Sequence, residues 1–233
     1  DCMKKIDLNV TVLAYSRFNT FEKVIKRCER DLKSVTVAMD FPETAEIALQ
    51  QERIIKLVDN LDIEINLVRR DENFGLVKSV LTSIDEALQR DDHFVLLEDD
   101  CLPFDSFFSY MNESLEKHKD NKNITSVCGT ITRCPFNPWG WGSWKNKWEY
   151  QKIPVEEILS IKKIDESLKN FLKNNKVEES VWSLNWLANQ YKNNSSAVFP
   201  NKNLIKNIGL DNSGVHSPGK GYTKWLLSQI VKN

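Results

Sequence analysis

Four strand-sized apolar runs, each followed by a segment with a different period, fill the first hundred residues. That alternation narrows the fold more than any other feature. The runs are Leu8 to Ala14, Ser34 to Met39, Ile63 to Val68 and His93 to Leu97. Between them Phe21, Val24, Ile25, Cys28 and Leu32 recur at the spacing of one helix face. Asn19 with Glu22 three residues on predicts a capping box for that helix. A second helix is predicted over about Thr44 to Leu61. A third, capped by Asn73-Phe74-Gly75, carries Val77, Val80, Leu81, Ile84 and Leu88 on one face. Strand–helix alternation of this kind builds a parallel sheet with right-handed crossovers. Functional side chains are then expected in the loops at the carboxyl ends of the strands: Tyr15 to Arg17, Asp40, Asn73 to Lys78, and Glu98 to Asp100.

The fourth run carries the strongest chemical signal. Phe94-Val95-Leu96-Leu97 runs straight into Glu98, Asp99 and Asp100, and Pro103 stops it. Three adjacent carboxylates repel one another unless a positive charge sits among them. A divalent cation is the natural counter-charge, because hard metals take oxygen ligands and can hold a phosphate against the protein. A solvated acidic turn is the plainer alternative. The first strand is followed by no G-x-G-x-x-G, and the chain has no G-x-x-x-x-G-K-[ST]. What remains is a nucleotide site that uses a carboxylate-held metal in place of a glycine cradle.

Composition removes other classes. With 32 Lys and Arg against 33 Asp and Glu, the chain has no basic excess for a nucleic-acid partner. The longest apolar runs are too short to span a bilayer. The chain opens on Asp1 with no signal peptide, so the expectation is a trimmed piece whose native flanks, a membrane anchor among them, lie elsewhere. Five cysteines without C-x-x-C spacing point to a reducing compartment. The expected location is therefore cytoplasmic, at the inner face of a membrane if a flank supplies peripheral attachment.

Beyond Pro103, a helix from about Phe104 to His118 is expected to begin on Asp105, and Ile124 to Cys128 reads as a fifth strand. Trp139-Gly-Trp141-Gly-Ser-Trp144 follows two prolines, which forbid regular structure at its start. Its aromatics want burial or a ligand. Helices are expected over residues 154–176 and from Glu178 to Tyr191, then a strand near Ser196 to Phe199.

Taken together, A-Y-S-R at the end of the first strand, an Asp closing the second, N-F-G, L-L-E-D-D-C-L-P, W-G-W-G-S-W and N-L-I-K-N-I-G-L-D-N-S-G-V-H form an ordered set. By that set the chain resembles the GT-A-fold glycosyltransferases, and within them bacterial sugar transferases related to the family-two enzymes and to N-acetylglucosaminyltransferases. The resemblance runs from Val10 to His216. It implies one α/β GT-A domain over 1–233, with a mainly parallel sheet, a nucleotide-sugar-binding half over 1–102 and an acceptor-binding half over 103–233. It also implies a nucleotide-sugar donor, most simply UDP-linked, a divalent Mn2+ or Mg2+, and transfer to a carbohydrate or glycolipid acceptor in bacterial surface-glycan or glycoprotein assembly.

By position, Glu98, Asp99 and Asp100 match the family's D-x-D motif, with Asp100 as the metal ligand. His216 matches a carboxy-terminal histidine that completes the metal or diphosphate site in many members. Asp40 matches the acid that receives the base or ribose, and Ala14, Tyr15 and Arg17 a donor-contacting segment. Gly75 and Lys78 belong to the same donor side. Lys78 in the first turn of its helix sits beside amides that attract phosphate, or else on a solvated face. Trp139, Gly140, Trp141, Gly142 and Trp144 fall in the acceptor-side loop, where the rings line a sugar or form a buried lid. The resemblance also implies an acidic base for an inverting transfer, because a neutral hydroxyl is a poor nucleophile. In this chain Trp182-Ser183-Leu184-Asn185-Trp186 holds no carboxylate, so the base is expected at Glu179, or at Glu178. Complementing the helix dipole explains both acids equally well. The rivals are a non-catalytic nucleotide- or glycan-binding domain, and a sugar-1-phosphate nucleotidyltransferase. The latter should carry a glycine-rich basic loop that Ala14-Tyr15-Ser16-Arg17 lacks.

Overall fold

The structure is a computed structural model that describes residues 4–174, 181–209 and 221–231, with the side chains of 221–223 left aside. The alternation read from the sequence is realised. Strand β1 (Val10–Ala14) leads to helix α1 (Phe18–Asp31), β2 (Ser34–Met39) to α2 (Ala45–Val58), β3 (Glu64–Arg69) to α3 (Gly75–Arg90), and β4 (His93–Glu98) follows. These four strands pair in parallel in the order β3-β2-β1-β4. Helix α1 shows why the period matters: Phe21, Val24, Ile25 and Cys28 are its buried residues and face the sheet. Helix α3 covers β1 and β4 in the same way, through Val80, Ile84, Ala87 and Leu88.

Beyond β4 the pattern changes. Short β5 (Cys101–Pro103) leaves the main sheet and pairs with β9 (Ile205–Asn207), and α4 (Phe107–His118) follows it. Strands β6 (Ile124–Cys128) and β7 (Trp141–Trp144) return to the main sheet, where β7 lies antiparallel between β4 and β6. After α5 (Val155–Ser160), α6 (Glu166–Asn174) and α7 (Trp182–Lys192), strand β8 (Ser196–Val198) adds in parallel to β6, and α8 (Gly221–Gln229) packs on α6. The main sheet thus has seven strands, all parallel in direction except β7. No helix among the described residues is long and apolar enough to cross a membrane.

Three local expectations give way. Helix α1 starts at Phe18 with Arg17 as its N-cap and no side-chain cap, so Asn19 lies inside the first turn and the Asn19–Glu22 box does not form. The chain stays extended through Pro103, because Phe104 N–H donates to the Leu204 carbonyl (2.8 Å), so α4 begins three residues later than expected. Asp105 is therefore no helix-start charge; it pairs with Arg27 and Arg30 of α1. The third correction is W-G-S-W itself, which is a core strand. Gly142 is what permits it: a Cβ there would lie 2.3 Å from the Phe94 carbonyl oxygen, so only glycine lets β7 close against β4.

Side chains alternate across β7. Trp141 faces α7, stacking on Trp182 at 5.6 Å and meeting Phe94, Phe136, Trp148 and Trp186. Trp144 faces α4, where its indole N–H donates to the Leu115 carbonyl (3.0 Å). Most of the chain's tryptophan is thereby spent on the core beneath the cleft described next.

Candidate active site

Strand order reverses between β1 and β4, since β2 and β3 lie on one side of β1 and β4 on the other. Open α/β sheets bind ligands in the crevice outside the carboxyl ends of the strands at such a point. A cleft of about 460 Å³ opens there. One wall carries Ala14, Tyr15, Arg17, Asp40, Gly75, Glu98, Asp99 and Asp100, all expected from the sequence. The facing wall is apolar and aromatic: Pro138, Trp139, Val181, Trp182 and Leu226.

The centre of the polar wall is a clamp. Arg17 sits at the amino end of α1 and turns its guanidinium back across the mouth of β1 onto β4. One nitrogen, Nη1, donates to Asp100 Oδ2 at 2.8 Å, and the other, Nη2, to Asp99 Oδ1. Both aspartates are buried, at 5% and 7% exposure, and Arg17 is three-quarters covered. Burial works against the Arg17 charge, but the two carboxylates outweigh it and raise its pKa. One guanidinium is not enough for three acids. Glu98 is pushed up to about 8, by burial first and then by Asp100 and Asp99. Asp99 is pushed up to about 7, chiefly by burial, against the downward pull of Arg17. The backbone closes over the clamp: a Cβ on Gly209 would lie 2.3 Å from Asp100 Oδ2 and 2.6 Å from Arg17 Nη1. Ile208 N–H fixes that strap by donating to the Asp100 carbonyl at 2.8 Å.

Asp40 closes β2, where a donor-binding acid was expected, but its carboxylate already has protein partners. Oδ1 accepts from the N–H groups of Phe41 (3.0 Å) and Phe74 (2.8 Å). Oδ2 accepts from Gly75 N–H (2.9 Å) and the Ser79 hydroxyl (3.0 Å). Helix α3, whose N-cap residue Phe74 offers no side-chain cap, is capped both by the expected Asn73, whose Oδ1 accepts from Gly75 N–H (3.0 Å), and by Asp40 from a neighbouring strand. Around it Tyr15 donates to Glu43 (3.1 Å), and burial, then Glu43, raises its pKa. Asn73 bridges the Phe41 carbonyl (2.8 Å) and the Tyr15 hydroxyl (3.3 Å).

The remaining expected residues lie elsewhere. Lys78 is off the cleft wall: it pairs with Glu72 at 2.9 Å and lies over the Phe74 ring, on the exposed side of α3. Trp141, Gly142 and Trp144 are in β7 and its core contacts, and Gly140 packs on Ile205; of the acceptor-loop set only Trp139 reaches the cleft. The reason is the direction of β7. It begins at the edge where its parallel neighbours end, so only residues preceding it meet the cleft. Glu178, Glu179 and His216 lie outside the described residues.

Several cleft residues went unread in the sequence. Arg70 follows β3 directly, the same place after a strand that singled out Arg17. It is held by Glu86 at 2.5 and 2.8 Å and by Ser83 at 3.4 Å. Ser79, Ser183, Asn207 and Gly209 also line the cleft; the last three fall in segments singled out in the sequence, W-S-L-N-W and N-L-I-K-N-I-G, but none was given a role there.

As a metal site the cluster has a particular character. Among the described residues no three His, Cys, Asp or Glu side chains converge as a closed cage. What is present is a pair of buried aspartates with negative charge in excess. That donor set fits Mg2+ or Mn2+, which take one or two carboxylates and leave their other positions to phosphate oxygens and water.

No protein-family model matches this chain, and no curated protein does. Among solved structures it is similar to 4-diphosphocytidyl-2C-methyl-D-erythritol synthase from Anaerococcus prevotii over 87% of this chain and 90% of that one, with 10% identity and a TM-score of 0.46. HddC from Yersinia pseudotuberculosis is similar over 60% of this chain and 77% of its own, at 10% identity and a TM-score of 0.37. Glucosyl-3-phosphoglycerate synthase from Mycobacterium tuberculosis, in complex with Mn2+, UDP-glucose and phosphoglyceric acid, is similar over 62% of this chain, at 14% identity and a TM-score of 0.40. The present chain spans 58% of that synthase's length.

Proposed function

We propose that this chain is a metal-dependent glycosyltransferase of the GT-A kind. On this reading it takes a sugar from a nucleotide-sugar, with UDP as the nucleotide, and passes it to a carbohydrate or glycolipid acceptor. One observation carries the reading: two buried, under-compensated aspartates stand at the switch point of a parallel sheet, facing an aromatic wall across a single cleft. A phosphate-bearing ligand needs the first feature and a sugar ring suits the second.

The residues divide the work. Asp100, with Asp99 beside it, would hold Mn2+ or Mg2+, which supplies positive charge against the departing diphosphate. His216 is a further ligand on this reading. Tyr15, Asn73 and Arg70 form the end of the cleft suited to a base and ribose, around the α3 terminus that Asp40 fixes. Trp139 and Trp182 offer apolar ring surface to the sugars. The cleft wall opposite the acids carries no carboxylate among its described residues, so the base falls to Glu179 or Glu178. Both precede Val181 and Trp182 in the chain. An inverting transfer requires such a group to take the proton of the acceptor hydroxyl. The acceptor side belongs to residues 103–233 and the donor side to 1–102, with the chain working in the cytoplasm at the inner face of a membrane.

Thermal shift with UDP, GDP, CMP and dTDP, each with and without Mn2+, tests the donor site, because a ligand of the native state raises its stability. UDP with Mn2+ should give the largest rise, and Asp100→Ala should erase it. An Mn2+-independent response, or none, would remove the donor site as proposed. Turnover then separates enzyme from binding module: Glu179→Gln should bind UDP-sugar like wild type and consume none. A wild-type protein that binds a range of UDP-sugars without consuming any would be the binding module.

A further inference from the structure

We propose that Arg17 is an exchangeable counter-ion: its guanidinium holds the carboxylate oxygens that the divalent cation needs, and it leaves them when cation and diphosphate arrive together. The inference rests on the donor-site reading above and adds to it the order and coupling of the binding events.

The geometry is specific. Asp99 Oδ1 and Asp100 Oδ2 are both taken by one fork, so the clamp bridges the two acids instead of pairing with one. Asp100 Oδ1 already has the Cys101 thiol at 3.5 Å. A cation bridging the two acids through Asp100 Oδ2 and Asp99 Oδ1 would therefore meet the oxygens that Arg17 covers. Guanidinium and dication cannot share them, because like charges a few ångström apart in a partly buried site repel strongly. Gly209 lies close on that side, since a Cβ there would come within 2.6 Å of Arg17 Nη1 and 2.3 Å of Asp100 Oδ2. The open direction is the cleft, which Arg17 itself lines.

Released into the cleft, Arg17 would find no second pair of adjacent aspartates: the other carboxylates lining it are Glu98, Asp40, which four donors already hold, and Glu43, which the Tyr15 hydroxyl holds. A diphosphate beside the metal supplies the partner, because the planar fork suits phosphate oxygens in two-point contact. Metal alone must therefore overcome the loss of the clamp, whereas metal with nucleotide returns a partner to Arg17. The two ligands should bind with positive coupling, and by linkage each should raise the other's affinity by the same factor. Arg17 is thus a positioning residue for Asp99 and Asp100 before the donor binds and a donor contact afterwards.

Mn2+ affinity, read from the electron-spin resonance signal of the free ion, tests this without any turnover. It is measured with and without UDP for wild type, Arg17→Gln, Arg17→Lys and Asp100→Asn. Removing a unit charge next to the ion should make Arg17→Gln bind Mn2+ at least about tenfold more tightly than wild type in the absence of UDP. The same variant should lose most of the tightening that UDP causes in wild type. Arg17→Lys, which keeps the charge but not the fork, should fall between them, and it serves if Arg17→Gln does not fold. Asp100→Asn should bind Mn2+ weakly under all conditions. If Arg17→Gln or Arg17→Lys binds Mn2+ no more tightly than wild type while Asp100→Asn still loses it, the exchange is wrong and the donor site stands. If wild type binds no Mn2+ even with UDP, the donor-site reading itself fails and the exchange goes with it.

Discussion

Strands β1 to β4 deliver polar side chains to the cleft from the loops that follow them, whereas β7, inserted antiparallel beside β4, delivers none. Trp141 to Trp144 are spent on the core, and the segment around β7 meets the cleft through Pro138 and Trp139, just before the strand. The same sheet edge is therefore served by opposite ends of its strands. On the parallel side a functional residue sits after the apolar run, and on the antiparallel side before it. Chemistry differs in step with direction. The parallel side is charged, networked and anchored by backbone amides, while the other side is an aromatic wall continuous with the core.

The tryptophans give the sharpest test of that division. Trp141→Ala should cost about 3–5 kcal/mol, because it empties a site walled by five other aromatic rings. Trp139→Ala opens onto the cleft and should cost less, with its larger effect on sugar-nucleotide binding. Urea unfolding and ligand titration on both variants measure the pair. Equal stability losses, or a ligand defect confined to Trp141→Ala, would dissolve the distinction between wall and core.

How much of this could be read from the sequence follows from the same rule. Period and run length identified β1 to β4 and α1 to α3 to within a few residues, because each element is set by contacts near in sequence. Arg17, Asp40 and the three acids were legible because a parallel strand advertises its carboxyl end. Strand β7 was not, because glycines disguise a strand whose reason for glycine is the Phe94 carbonyl, far off in sequence. Nor was the cap that Asp40 provides for α3, since its partners Phe74, Gly75 and Ser79 lie across a strand and a helix. Arg70 shows an avoidable gap: the rule that found Arg17 applies to it unchanged.

The Asp40 network sets the next test. Asp40→Ala leaves the Phe41 and Phe74 N–H groups and the Ser79 hydroxyl without this acceptor, while Gly75 N–H keeps Asn73 Oδ1, and should cost about 1–3 kcal/mol. Chemical denaturation of the ligand-free protein reads it. A residue kept for the nucleotide alone would weaken UDP binding and leave unfolding unchanged, and that result would return Asp40 to a purely ligand-binding role.

A smaller effect separates the acid cluster from ordinary surface carboxylates. Glu98 titrates near 8 and Asp99 near 7 in the folded chain, against about 4.3 and 3.9 when unfolded. The folded state then binds more protons than the unfolded one across that window, so stability falls as pH rises from about 4 to about 8. Without divalent cation, that fall with rising pH is the contribution expected from these two groups. Glu98→Gln should flatten the profile of Tm against pH, and Mn2+ should restore stability at pH 8. A profile that rises through this range in wild type and variant alike would mean that the cluster is already fully compensated.

The smallest expected effect belongs to Lys78, and it decides whether helix position alone makes a phosphate ligand. Its ammonium pairs with Glu72 at 2.9 Å, and both side chains are more than half exposed. It also lies 3.6 Å from the Phe74 ring centroid. Exposed pairs of this kind are worth about 0.5 kcal/mol, since water screens the charges and holding two long side chains costs entropy. The amides that could draw a phosphate to the start of α3 at Phe74 and Gly75 already donate to Asp40. Lys78→Ala should therefore change stability by about 0.5 kcal/mol or less and leave UDP affinity within about twofold. A loss of about tenfold, measured by titration with Mn2+ present, would show that Lys78 turns into the cleft when the donor binds. The exposed face of α3 would then join the charged wall, and the line between the two sides of the cleft would have to be redrawn there.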